Sequence, residues 1–234
     1  MNGILYLIPT VLDENGFSNS IPKDVAEIAL TLTKYIVENE KVARRFLKKL
    51  DPKKDINECR FLPMGKHANV DEFPSYLKDL LDGKDMGLLS DAGCPAIADP
   101  GNVIVKLAHK KDIKVVPLTG PSSILLSLMA SGMNGQSFAF HGYLPHDQKE
   151  REAKIKAFER ALKNDRQTQI FMETPFRNNK LIQDIIKICQ PSTRLCVASS
   201  LTGDSEKIIS KSIEEWKSEK YDFHKIPAMI CMGL

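Results

Sequence analysis

The stretch Ser90-Asp91-Ala92-Gly93-Cys94-Pro95-Ala96-Ile97-Ala98-Asp99-Pro100-Gly101 gathers carboxylates, glycines and prolines into one short segment. Asp91 and Asp99 offer acceptors for the hydroxyls or amines of a ligand. Gly93 and Gly101 permit positive φ or a close approach of bare backbone, and Pro95 and Pro100 stiffen what the glycines loosen. The same composition also suits a purely structural turn with a helix-capping aspartate. A second set is basic: Lys41, Arg44, Arg45 and Lys48 recur at i, i+3, i+4 and i+7, one stripe of a helix, with Lys49, Lys53 and Lys54 extending it. Such a stripe contacts phosphates or is simply solvated. Ser122 and Ser123 stand at a helix start, where hydroxyls and N–H groups bind a carboxylate or cap the helix. No GxGxxG or GxxxxGK[ST] occurs, so the dinucleotide and P-loop readings have no basis.

These residues need elements to position them. Ile4–Ile8 reads as a buried strand stopped by Pro9, and 10–22 as the loop at its carboxyl end. A helix is expected over 23–34, a strand over 35–38, and a helix over 41–50 capped by Asn39. Strands follow over 60–64, 86–89 and 114–118, with helices over 73–81 and 101–111. This alternation predicts a mostly parallel sheet with right-handed crossovers. The Ser90–Gly101 loop then lies where a strand's carboxyl end meets a helix, the place where such sheets bind ligands. Beyond it the pattern predicts a helix from Ser122 to about Met133, strands over 138–145, 168–172, 194–198, 207–213 and 227–232, and helices over 148–163 and 181–188. In the first of these helices Glu150→Lys154 and Glu152→Lys156 spacing marks a solvated outer face.

A hydrophobic content of 42% and a charged content of 27% are ordinary for a soluble globular chain. The net charge of +3 permits an anionic partner without demanding one. Five scattered cysteines with no CxxC pair argue against a disulfide scaffold or a metal module and for reduced thiols. The amino terminus carries no basic segment leading into a long apolar stretch, and no run is long enough to span a membrane. A cytoplasmic location is expected.

The segment Ser90–Gly101 resembles the SDAGTPxIxDPG signature of the tetrapyrrole (corrin/porphyrin) methylase family. Within that family it is most similar to the branch that methylates the ribose 2′-oxygen of a cytidine in bacterial small-subunit ribosomal RNA. Further matches follow in order. Pro9-Thr10 stands where relatives carry PTPIGNLxD, and Glu38-Asn39-Glu40-Lys41 where they carry EDTR. His67 and Asn69 lie near a His-Asn pair, and Pro121-Ser122-Ser123 aligns with a PGPxA-type motif. Phe138 to Pro145 resembles FxGFLP, and Glu173-Thr174-Pro175-Phe176-Arg177 resembles ESPHR, with Phe176 replacing the histidine. Ser199-Ser200-Leu201-Thr202-Gly203 stands where relatives read RELTK, without the arginine, glutamate and lysine.

The resemblance implies a two-domain α/β protein. An N-terminal mostly parallel sheet with flanking helices (1–118) precedes a C-terminal mixed α/β domain (119–234), with an S-adenosylmethionine cleft between them and a homodimeric state. It places Pro9, Asp91, Gly93, Ile97, Ser122, Ser123, Met172, Ser199 and Ala228 at or near cofactor contacts. It makes Glu173 the group that accepts or orients the acceptor proton and gives Arg177 a substrate phosphate, although a structural Glu–Arg pair is an equal alternative. Lys41, Arg44, Arg45 and Lys48 would bind RNA. Ribose methylation of ribosomal RNA or the small subunit is the reading these motifs favour. The missing residues near Ser199 leave room for a tetrapyrrole or other small acceptor, or for a cofactor-binding dimer without catalysis.

Overall fold

The computed structural model describes residues 1–14, 20–66 and 68–234. His67 and residues 15–19 of the expected loop 10–22 lie outside the described residues. The chain divides into two compact units, Met1–Ser122 and Ser123–Leu234.

The first unit is a five-stranded parallel sheet in the order β3-β2-β4-β1-β5. Its strands are β1 (Ile4–Ile8), β2 (Lys34–Val37), β3 (Arg60–Pro63), β4 (Met86–Leu89) and β5 (Lys114–Pro117). The helices are α1 (Lys23–Thr31), α2 (Glu40–Leu50), α3 (Phe73–Tyr76), α4 (Lys78–Leu81) and α5 (Gly101–Lys110). Both faces are covered, and residues along a strand alternate between them. Ile36, Met86 and Leu88 pack with Phe73, Leu77, Leu80, Ile104 and Ala108 on one side. Tyr35, Val37 and Leu89 pack with Val25, Ala29, Phe46 and Leu47 on the other.

Several expected boundaries are corrected. The first helix ends at Thr31 rather than Lys34, because Leu32 is already extended (φ −78°, ψ 151°). The Tyr35 hydroxyl donates to the carbonyls of Ala29 (2.8 Å) and Leu32 (2.6 Å), satisfying the groups a helix end leaves open. The expected helix over 73–81 is two single turns, α3 and α4, joined at Leu77. Asn39 does cap α2, accepting from Lys41 N at 3.0 Å.

The second unit is a mixed sheet in the order β6-β7-β10-β8-β9, parallel only at β6–β7. It comprises α6 (Ser123–Ser131), β6 (Phe138–Tyr143), α7 (Gln148–Asp165), β7 (Thr168–Met172), α8 (Asn178–Ile188), β8 (Arg194–Ser199), β9 (Lys207–Ser212), α9 (Ile213–Trp216) and β10 (Ala228–Gly233). One face packs Ile155, Phe158 and Leu162 of α7 and Leu181, Ile182 and Ile185 of α8 against Phe171, Val197 and Ile230. On the other, α6 meets small side chains, with Ser210 Oγ donating to Ser131 O at 2.7 Å. The expected strand over 207–213 stops at Ser212, where a capping box with Glu215 starts a helical turn. The outer face of α7 is solvated as expected, with Glu150, Lys154 and Lys156 exposed, although the side chains take other partners: Glu152 accepts from Gln148 (2.9 Å), and Lys154 lies over the Phe158 ring (5.4 Å). No described helix is long and apolar enough to cross a membrane.

Candidate active site

At the carboxyl edge of the parallel sheet three turns pack on one another. Thr10, just past β1, and Gly93, just past β4, form an isolated antiparallel bridge: Thr10 N donates to Gly93 O (3.0 Å) and Gly93 N to Thr10 O (3.2 Å). Thr10 Oγ1 donates to Ser90 O (3.2 Å), and Ser90 Oγ to Gly93 O (3.2 Å). The third turn closes over the first, since a Cβ on Gly120 would stand 2.2 Å from Pro9 Cγ. Cys94 Sγ donates to Pro121 O at 3.4 Å. The first unit thus brings Pro9, Asp91, Gly93 and Ser122 to one edge, with Ile97 half-exposed in the same loop.

Asp99 does not face a ligand as its type suggests. Its carboxylate accepts from Ala96 N (3.0 and 2.9 Å) and from Gly101 N (2.7 Å). It thereby holds Ala96 and Ala98 at φ 67° and 61°, left-handed conformations costing about 1–3 kcal/mol each. Burial raises its pKa against the pull of those N–H donors. Asp91 is the exposed carboxylate of the loop. Its backbone N–H donates to Glu38 Oε2 (3.0 Å). Partial burial, the Glu38 charge and the Asp99 charge raise the Asp91 carboxyl above its usual range, while the Asn39 N–H lowers it.

In the second unit, Met172 ends β7 opposite Met229, and Ala228 opens β10 opposite Ser199 at the end of β8. These residues share one edge of the sheet, and Glu173 follows directly. The Ser199 hydroxyl is buried and donates to Lys207 O (3.0 Å). Ser123 begins α6. Glu173 and Arg177 do meet: Arg177 Nη2 donates to Glu173 Oε1 at 2.6 Å, as does Thr174 N. Glu173 Oε2 receives no hydrogen bond among the described residues. Arg177 Nε and Nη1 are buried without a partner among the described residues, each a cost of about 1–3 kcal/mol or more for a charged group. The pair lines a cavity of about 200 Å³ with His146, Arg151, Lys180 and Leu181.

Sequence reasoning missed this cavity's other cations. Arg151 is buried and fixed by Asp184, with Nη2 and Nε at 2.9 and 3.2 Å from Asp184 Oδ2, while Nη1 donates to Pro145 O and His146 O. The sequence signal was its spacing, since Arg151 stands 4, 7 and 11 residues before Ile155, Phe158 and Leu162 on the apolar stripe of α7. The basic stripe does form, but its arginines are engaged. Arg44 bonds Glu40 (2.7 Å) and lies over the Phe61 ring (4.6 Å), and Arg45 pairs with Glu14. Lys48 reaches Pro52 O at 2.9 Å.

The fold alone matches known methyltransferases. The chain superposes on the methyltransferase CobJ with a TM-score of 0.65 at 14% identity, covering 100% of this chain and 94% of that one. A uroporphyrin-III C-methyl transferase from Thermus thermophilus, complexed with S-adenyl homocysteine, gives 0.57 at 15% identity over 99% and 97%. The architecture is therefore the two-unit α/β fold that these proteins share. In sequence, residues 23–217 match the family model of Tetrapyrrole (Corrin/Porphyrin) Methylases. Among curated relatives, Ribosomal RNA small subunit methyltransferase I of Buchnera aphidicola subsp. Acyrthosiphon pisum (strain APS) is 30% identical over 94% of this chain and 76% of its own length. That of Bacillus subtilis (strain 168) is 31% identical over 93% and 71%. The chain belongs to the tetrapyrrole methylase family, whose members are S-adenosylmethionine-dependent methyltransferases.

Proposed function

We propose that this protein transfers a methyl group from S-adenosylmethionine to a ribose 2′-hydroxyl of small-subunit ribosomal RNA. The observation that carries the reading is the similarity to relatives named for small-subunit ribosomal RNA along more than nine-tenths of the chain. The SDAG-type loop, held in the form just described, supports it.

The residues present fit the cofactor. Gly93, at φ 74°, leaves bare backbone at the centre of the bridged turns, and a Cβ there would meet Leu12 Cδ2 at 3.0 Å. Glu38 and Asp91 set adjacent carboxylates at the same edge, an environment that favours a cationic ligand. Pro9, Asp91, Gly93, Ile97 and Ser122 are proposed to hold it, and the resemblance adds Ser123, Met172, Ser199 and Ala228 as further proposed contacts. When bound, the cofactor supplies a sulfonium methyl group with a good leaving group, so positioning dominates catalysis.

Glu173 is proposed to orient the acceptor hydroxyl and take its proton at Oε2, the oxygen left without a donor. Arg177 and Thr174 fix the carboxylate through Oε1. Lys41, Arg44, Arg45 and Lys48 are proposed as RNA contacts, and the working form as a cytoplasmic homodimer. Light scattering at micromolar concentration tests the dimer. Calorimetry with S-adenosylmethionine and its demethylated product tests the cofactor, and a folded protein that binds neither contradicts the reading.

A small-molecule acceptor is the second reading. It draws on the Ser199–Gly203 loop, which carries no cation and instead folds tightly, with Ser200 and Thr202 at φ 48° and 69°.

A further inference from the structure

The cavity beside Glu173 is too small for a cofactor. At about 200 Å³ it falls below the roughly 300–1,000 Å³ of sites that enclose drug-sized ligands. It still has room for several waters, at about 30 Å³ each, or one small oxyanion. Its lining is cationic in excess. Arg151, Arg177 and Lys180 face two carboxylates, Glu173 in the wall and Asp184 behind it, and His146 adds further donor capacity. Asp184 is shared, taking Arg151 on Oδ2 and Lys180 on Oδ1.

Arg177 spends one nitrogen on Glu173 and keeps two buried nitrogens without a partner among the described residues. Buried guanidinium donors are ordinarily satisfied, and a planar, permanently charged fork suits phosphoryl oxygens. Lys180 is half-exposed at the mouth, so the cavity is reachable from solvent.

We propose that this cavity is a phosphoryl-anion site, with Arg177 and Lys180 as its principal donors and Arg151 and His146 behind them. Glu173 Oε2 and the cations then offer, side by side, an acceptor for a hydroxyl and donors for a phosphate. That pairing matches a ribose and its neighbouring phosphodiester, an assignment of source that rests on the RNA reading above. The anion chemistry itself does not depend on it.

The test titrates the full-length protein with inorganic phosphate, followed by calorimetry and ³¹P line width at low ionic strength. Saturable binding is expected, weakened about tenfold or more by Arg177→Gln and by Lys180→Gln, a loss of about 1.4 kcal/mol or more. Arg177→Lys serves if Arg177→Gln does not fold by circular dichroism, and it too should weaken binding, because a point charge cannot replace the fork. No saturable binding by the parent overturns the site, as does binding that Arg177→Lys and Lys180→Gln leave unchanged. In a second arm, an RNA oligonucleotide that displaces phosphate from the parent supports a phosphodiester source. RNA that binds without displacing phosphate overturns that source and leaves a site for free phosphate. Phosphate binding in a protein that methylates no RNA would count against the proposed function and not against the site.

Discussion

Thr10 and Gly93 exchange backbone hydrogen bonds in both directions, 3.0 and 3.2 Å, although the strands they extend, β1 and β4, run parallel. The bridge turns two strand ends towards each other and holds the SDAG-type loop against the Pro9 turn. Gly93 makes it possible through φ 74° and the absence of a Cβ beside Leu12. Gly93→Val should therefore cost about 1–3 kcal/mol in urea unfolding. It should also weaken S-adenosylmethionine binding about tenfold or more by calorimetry. Unchanged affinity in a folded Gly93→Val protein would remove this turn from the cofactor site.

Asp99 holds the rest of that loop from within. Asp99→Ala removes acceptors for two backbone N–H groups and releases the left-handed Ala96 and Ala98. Hydrogen bonds to a charged group are worth about 1.5–3 kcal/mol, so a loss of that order is expected, along with faster amide exchange confined to 90–101. Uniform exchange across the chain would contradict the local role.

Arg151 and Asp184 are almost wholly buried, their side chains 8% and 4% exposed. Removing one partner strands a charge, so Asp184→Ala should cost about 3–5 kcal/mol, and the double change Arg151→Met with Asp184→Leu should recover much of it. Burial raises the Asp184 carboxyl, but hydrogen bonds and charges from Lys180 and Arg151 outweigh it and hold the group below its usual range. The unfolded chain therefore binds this proton first as pH falls. The stabilisation is present above the unfolded carboxylate pKa of about 3.9 and is lost in more acid solution. Denaturation curves between about pH 6 and pH 2, which span that pKa, should show a shallower acid loss in the double variant.

The stripe on α2 makes a separable claim about RNA. Its surface ion pairs are worth about 1 kcal/mol or less, so Arg44 and Arg45 can exchange Glu40 and Glu14 for phosphates. Alanine at Lys41, Arg44, Arg45 and Lys48 should flatten the salt dependence of RNA binding, with S-adenosylmethionine affinity preserved. The slope should fall by about 0.7 for each phosphate the protein no longer neutralises. An unchanged slope would make the stripe solvated surface.

Much of the first unit was legible because parallel strands buried on both faces read as short apolar runs. Ile4–Ile8, Met86–Leu89 and the loop after them stand in the sequence nearly as they fold. The breaks were harder to read. Leu77 gives no residue-type signal for splitting α3 from α4, and a strand ends at Ser212 only because the Glu215 side chain returns to cap it. Asp99 looked like a ligand carboxylate because composition does not reveal that its own loop consumes it. The anion cavity was illegible for a different reason: Arg151, Arg177 and Lys180 belong to α7, the turn before α8, and α8 itself. Only packing brings them together, and the one hint is that Arg151 shares the α7 stripe of Ile155, Phe158 and Leu162.

The central claim is methyl transfer to a ribose hydroxyl, and the most direct measurement combines purified protein, methyl-labelled S-adenosylmethionine and small ribosomal subunits lacking their native methylation. A 2′-O-methyl group removes the nucleophile that alkaline RNA cleavage needs. Label is therefore expected in the RNA, retained in one alkali-resistant dinucleotide, with a strong loss of that label in Glu173→Gln that still binds the cofactor. Label released as an ordinary mononucleotide, label on a small acceptor instead of RNA, or no transfer by a protein that binds S-adenosylmethionine would contradict it.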